Sequence, residues 1–398
     1  MALLHIPLEK IDQSHLQRLI DGQAAESREI DYKSQTYGGS DKERAEFLAD
    51  ISSFANAVGG DLIIGMAATS GAPTAFTPFT GDFDAECLRL ENMARTGLEP
   101  RISNLQLKSI SLKNGGCVIV IRVPRSFNPP HRIVFQGKNR FCARSSAGKY
   151  DLNVDELRSL FTLAPQLSEK IRQFRAERIA KIVARDLPVT LLDSCCFALH
   201  VIPFAAFDIR KPSFMSDVVQ HPNYFPPLAR TSPTNWYVNF DGLVTLSNAD
   251  THQKTQRAYV QIFRSGIVEA VASSITQGDA NHTVVAMHIE AMLVRYSRIY
   301  VNGLHGCGIM PPIAILASLV GMKGHSIKYG FDTMLHADAP TICDRDQMHF
   351  SEVIFDSVPA SDQDSATIVR PVLEQLANVA GNASPATFDA AGKYLMKI

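Results

Sequence analysis

Arg140 and Arg144 lie four residues apart in Asn139–Arg144, a segment that reads as a strand. At that spacing both guanidiniums leave one face about 13 Å apart, near the span of two phosphate intervals on a nucleic-acid strand. Lys149 follows in Ser145-Ser-Ala-Gly-Lys149, where small residues let backbone amides approach an oxyanion. These residues close a longer run: Arg101 to Lys149 holds ten Lys or Arg and no Asp or Glu. Arg122, Arg125 and Lys138 belong to the same run and complete the expected phosphate-gripping set. Such a stretch is either a surface for a polyanion or a solvated face balanced in space by acids from elsewhere. The polyanion is the working expectation, because the charge falls on strands and turns and not on one exposed helix.

A second group sits in Glu29-Ile-Asp-Tyr-Lys33. Strand alternation points Ile30 and Tyr32 one way and Glu29, Asp31 and Lys33 the other. Asp-x-Lys recurs where a metal and an ammonium share a phosphate, and it is equally an ordinary strand-face ion pair of little energetic weight. His131, after two prolines, reads as a turn residue rather than a general base. No ligand-spaced pair of histidines points to zinc, and the Ser145–Lys149 segment is too short for a phosphate-binding P-loop.

The elements that must position these groups follow from periodicity. Residues 8–20 have helical spacing and stop at Gly22. Ser40-Asp-Lys-Glu43 is a capping box, and its helix buries Phe47, Ile51, Phe54, Ala55 and Val58 before Gly59-Gly60. Asp61–Gly65 starts a buried strand. Further strands are expected at Leu105–Leu112, Cys117–Val123, Arg132–Gln136 and Asn139–Arg144, joined at Asn114-Gly-Gly116 and Gln136-Gly137. The expected fold is α+β: a mixed sheet with covering helices over residues 1–163, a basic linker helix over 164–188, and a second α/β domain over 189–398. The linker's Arg172, Arg175, Arg178, Lys181 and Arg185 read as a nucleic-acid arm or as a solvated helix face.

Glu26-Ser-Arg-Glu-Ile-Asp-Tyr-Lys33, then Ser53-Phe-Ala-Asn-Ala-Val-Gly-Gly-Asp-Leu-Ile-Ile-Gly65, resemble the Schlafen-type AlbA-like domain. Pro129-Pro-His131 and Arg140–Lys149 look like that family's later block, so the resemblance runs over roughly residues 20–160, in order. It implies a nucleic-acid-binding domain and, in the nucleases of the family, three carboxylates holding Mg²⁺ or Mn²⁺ for phosphodiester cleavage. By position the first two are Glu26 and Asp31, with Lys33 placed to stabilise developing charge. The third position falls in Met66-Ala-Ala-Thr69, which carries no acid. Glu29, on Asp31's face, or Glu46 or Asp50, on the preceding helix, are the replacements at hand. Asp61 lies on the order of 20 Å from that position along an extended strand.

Residues 190–398 carry strands at Phe197–Pro203, Leu243–Leu246, Arg257–Phe263, Ile267–Val271 and Pro312–Gly321, a helix near Thr283–Ile299 and two closing helical stretches, with no chemical motif. Homo-oligomerisation through this part is one expectation for it. The whole chain has 39 basic and 40 acidic residues, which excludes a uniformly basic binder and an acidic disordered tail. Seven scattered cysteines without paired spacing fit reduced thiols. With neither a membrane-length apolar run nor a secretory leader, a cytoplasmic location is expected. Three readings follow: a regulator that binds RNA or DNA without cutting it, a metal-dependent endoribonuclease acting through Glu26 and Asp31, and a partner-binding scaffold with a vestigial domain.

Overall fold

The computed structural model describes residues 3–208, 214–228, 233, 235–248, 255–273, 275–277, 282–330, 341–389 and 391–396. The chain divides into two compact units, Met1–Gln166 and Leu167–Ile398. Both mix helices with sheets, in keeping with an α+β first part and a further α/β part.

The first unit starts with α1 (Gln13–Asp21), β1 (Ile30–Lys33), α2 (Asp41–Ala55), β2 (Gly60–Ile64), β3 (Met66–Thr69) and β4 (Ala72–Phe76). There follow α3 (Phe83–Gly97), β5 (Leu98–Glu99), β6 (Gln106–Ser111), β7 (Cys117–Val123), β8 (Arg132–Phe135), β9 (Lys138–Ser145), β10 (Gly148–Asp151) and α4 (Val154–Phe161). One sheet has the order β1-β2-β7-β6, with β1 parallel to β2 and the other pairs antiparallel. A second, antiparallel sheet has the order β10-β9-β8-β5.

Helix α2 fills the space between these sheets. Its Phe47, Leu48, Ile51 and Phe54 pack on Leu62, Ile64, Ile119 and Ile121 of the first sheet and on Ile133 and Cys142 of the second. Each such side chain stabilises by roughly 2 kcal/mol when fully buried. Helix α1 covers the opposite face of the first sheet, setting Leu16 and Leu19 against Ile30, Tyr32, Ile63, Val118 and Val120. The Ser40–Glu43 capping box starts α2 as its sequence requires. At the far end Gly59 takes φ +80°, and any Cβ on Gly60 would stand 2.3 Å from the Phe54 ring. The turn therefore needs both glycines. The β3–β4 hairpin, α3 and β10 are elements that periodicity did not single out; Asp82 caps α3 through the Ala85 amide.

Helix α5 (Leu163–Ala184) leads to β11 (Thr190–Leu191), β12 (Cys196–Pro203), α6 (Met215–Gln220), β13 (Asn235–Val238), β14 (Gly242–Leu246), β15 (Thr255–Gln256), β16 (Ala258–Phe263) and β17 (Val268–Ala272). The remaining elements are β18 (Val284–Val285), α7 (Ala286–Gly306), β19 (Ile313–Val320), β20 (Ser326–Lys328), β21 (Thr341–Ile342), β22 (Gln347–His349), β23 (Val353–Phe355) and α8 (Asp362–Val379). Eight of the strands form an antiparallel sheet ordered β13-β14-β16-β17-β12-β19-β22, with β23 also on β19. Helices α7 and α8 pack on one face of it, and Ile179 and Ile182 of α5 on the other. Among the described residues the chain closes with one helix, not two. Gly381, at φ +84°, and Pro385 stop helical continuation, and Phe388 and Tyr394 meet instead in an isolated β-bridge.

The basic face of α5 is largely engaged within its own unit. Arg172 and Arg175 pair with Glu352 at 3.1 and 3.2 Å, and Lys181 with Asp186 at 3.7 Å. Arg178 is buried and grips Glu269 through two hydrogen bonds of 2.7 and 2.8 Å. The Tyr259 hydroxyl donates to the same carboxylate at 2.9 Å, and His200 Nε2 lies 3.1 Å from it. Burial alone would raise the Glu269 pKa. The Arg178 and His200 bonds overcome it and hold the group at about 2.

Candidate nucleic-acid interface and its carboxylate cluster

Three elements of the first unit turn charge into one space. On β1, Asp31 and Lys33 share a face by strand alternation. On α2, Glu46 and Asp50 are one turn apart and so lie on one side of the helix. On the β9–β10 hairpin, Arg144 and Lys149 are cross-strand partners, which puts their side chains on the same face.

The result is a chain of alternating charge. Arg144 Nη1 lies 3.0 Å from Asp31 Oδ2. Lys33 Nζ is 3.4 Å from Asp31 Oδ2 and 3.4 Å from Asp50 Oδ2. Lys149 Nζ is 2.8 Å from Asp50 Oδ1 and also bonds Glu46. Asp50 is fully buried, and the Tyr37 hydroxyl adds a hydrogen bond of 2.6 Å to it. Arg144 is buried too, donating from Nε to the Ser27 carbonyl at 3.0 Å and stacking 4.5 Å over the Phe54 ring.

Glu26 meets this chain at Asp31. Its amide donates to the Gly71 carbonyl at the β3–β4 turn (2.7 Å), which fixes its approach. Burial, then the Asp31 charge and a hydrogen bond shared with it, raise the Glu26 pKa. Burial would raise Asp31 as well, but Arg144 and Lys33 prevail and lower it. Lys33 is desolvated, yet Asp50 and Asp31 raise its pKa and keep it an ammonium. Burial opposes and Lys149 imposes a lowered pKa on Glu46.

The remaining expected site residues fall elsewhere. Arg122 is a structural cation: it holds Asp61 at 2.8 and 2.9 Å and the carbonyls of Ile6 and Leu3 at 2.6 and 2.9 Å. Arg125 lies 5.9 Å from the Phe127 ring. Arg140 pairs with Asp151 at 2.8 Å, and both ends are exposed, 47% and 61%. Arg132 pairs similarly with Glu99 at the surface. Lys138 begins β9, and its side chain lies outside the described residues. Asn56 and His131, from the glycine and proline motifs, are bound to each other. Asn56 Oδ1 accepts from the His131 amide at 2.7 Å, and its Nδ2 donates to the carbonyls of His131 and Cys142.

The donor set does not fit a divalent ion as it stands. Strand β3 offers Ala67 and Ala68 where a third acid is needed, and the Glu29 carbonyl accepts the Asp61 amide. Asp31 and Asp50 are each held by two cations at 2.8–3.4 Å. Among the described residues no three His, Cys, Asp or Glu converge to hold a metal.

Compared with family models, residues 26–153 match the one described as Schlafen, AlbA_2. Residues 26–153 are a Schlafen AlbA_2 domain. The match starts at Glu26 and ends two residues after β10, so the AlbA_2 domain contains every charge of the alternating chain. No curated protein matches the chain. Among solved structures, the DIP2311 protein from Corynebacterium diphtheriae is 14% identical over 37% of this chain and 31% of its own, with a TM-score of 0.26. The chain thus spans about a third of that protein. The N-terminal domain of a RecG-related protein from Nitrosomonas europaea, solved by NMR, is 21% identical over 27% of this chain and 71% of its own, with a TM-score of 0.22. Among the described residues no helix is long and apolar enough to cross a membrane.

Proposed function

We propose that the AlbA_2 domain binds the phosphate backbone of RNA or DNA without cutting it. The observation that carries this reading is the Arg140–Asp151 pair, in which a guanidinium of the acid-free run meets the first acid beyond its end and both side chains are exposed. Such a pair contributes about 0–1 kcal/mol, so a phosphate can displace its carboxylate at small cost. The surface pair of Arg132 with Glu99 offers a second guanidinium on the neighbouring strand. Arg144 and Arg122, by contrast, are committed to buried partners and serve the fold. The balanced chain of Arg144, Asp31, Lys33, Asp50, Lys149 and Glu46 supports binding over catalysis, since its carboxylates are already neutralised.

The test is fluorescence anisotropy of the full chain with a single-stranded RNA and a DNA duplex, at about 50 to 200 mM salt. Affinity should fall steeply with salt, and Arg132→Ala/Arg140→Ala should flatten the slope by about two phosphate contacts. Absent or salt-insensitive binding would reject the reading. Strand scission in the same samples with Mn²⁺, lost on Glu26→Ala/Asp31→Ala, would favour the endonuclease instead.

A further inference from the structure

The arrangement of Lys33 and Lys149 is that of bridging ions. Each ammonium spans two carboxylates: Lys33 joins Asp31 to Asp50, and Lys149 joins Asp50 to Glu46. A fully buried carboxylate such as Asp50 must be neutralised to be tolerated. A divalent ion would do this with two positive charges at one point; here the same charge is split between two ammoniums. The Asp31 and Asp50 oxygens they hold stand off at 2.8–3.4 Å. That suits N–H···O contacts and is too long for Mg²⁺, which binds at about 2.0–2.1 Å.

We propose that Lys33 and Lys149 take the place of a divalent cation between β1, α2 and the β9–β10 hairpin. The native domain then has no use for Mg²⁺ or Mn²⁺ there, and removing Lys149 leaves Asp50 and Glu46, the two carboxylates it bridges, for a divalent ion to neutralise in its place. The inference does not depend on nucleic-acid binding. It uses acids of α2 that join Asp31 only through the lysines.

The experiment is calorimetric titration of the full chain with MnCl₂, alongside thermal melting with and without Mn²⁺. Wild type should show no saturable uptake at this site up to on the order of 1 mM. Lys149→Met, at the half-exposed end, should bind Mn²⁺ at least about tenfold more tightly and melt higher with it. Lys149→Arg, which keeps the charge, should behave as wild type, and adding Asp50→Asn to Lys149→Met should abolish the gain. If Lys33→Met/Lys149→Met unfolds in buffer, recovery of its fold on adding Mn²⁺ supports the proposal; no recovery, with no gain in Lys149→Met, overturns it. Tight Mn²⁺ binding by wild type that Asp50→Asn removes, or a gain that survives Asp50→Asn, also overturns it.

Discussion

Asn56 and His131 clasp each other through the backbone of His131: Asn56 accepts from its amide at 2.7 Å and donates to its carbonyl at 3.1 Å. A third bond, to the Cys142 carbonyl at 2.9 Å, ties the end of α2 to strand β9. Asn56→Ala leaves buried backbone groups unsatisfied and should destabilise by about 2–4 kcal/mol. Asn56→Asp should be no better, because it loses the donor. Urea unfolding of the first unit's transition measures this; a loss under about 0.5 kcal/mol would show the clasp to be dispensable.

Glu46 occupies on Lys149 the place a phosphate would take, and its own side chain is half exposed. Glu46→Gln should therefore tighten nucleic-acid binding, by about threefold at low salt, with a steeper salt slope. Anisotropy at matched ionic strength reads the change. Unaltered or weaker binding would remove Lys149 from the interface.

Glu26 has a raised folded-state pKa, so the folded protein holds its proton more tightly than the unfolded chain does. Its contribution is fully present below the ordinary carboxylate range and is lost as pH rises through the folded value. Glu26→Gln, which mimics the protonated form, should stabilise the fold at pH 7 by no more than about 1 kcal/mol, given its partial exposure, a gain read by urea unfolding. The gain should vanish near pH 4. Destabilisation at pH 7 would mean that the ionised carboxylate is wanted in the fold.

Glu269 carries the opposite sign. Its folded pKa of about 2 stands below the ordinary 4.5, so it stabilises above that range, and the contribution fades as pH falls from there towards 2. Glu269→Gln leaves the buried Arg178 uncompensated and should cost about 3–5 kcal/mol at pH 7. Chemical denaturation at pH 7 and pH 3 checks both points: the mutant deficit should shrink in acid.

Much of the first unit can be read from local pattern. Ser40 and Glu43 announce α2, and the alternation of Ile30 and Tyr32 sets which way Asp31 and Lys33 face. Even Asp50 was legible in principle: it falls within the apolar stripe of Phe47, Ile51 and Phe54, so helical period alone demands that it be buried and partnered. What local pattern cannot supply is the identity of partners. Arg144 finds Asp31 across 113 residues, and Lys149 finds Asp50 across 99. Strand spacing correctly puts Arg140 and Arg144 on one face, but only the position of α2 decides that Arg144 is covered while Arg140 meets solvent. In the second unit the expectation of two closing helical stretches meets Gly381, at φ +84°, and Pro385, both of which oppose helix beyond α8.

The alternating chain links one strand, one helix and one hairpin through side chains that each serve two neighbours. No one of these elements can swing away without stranding a charge on another, so they open as a single cooperative block. Backbone amides of β1, the second half of α2 and β9 should consequently exchange with deuterated solvent at a common rate, slower than those of the β3–β4 hairpin beside them.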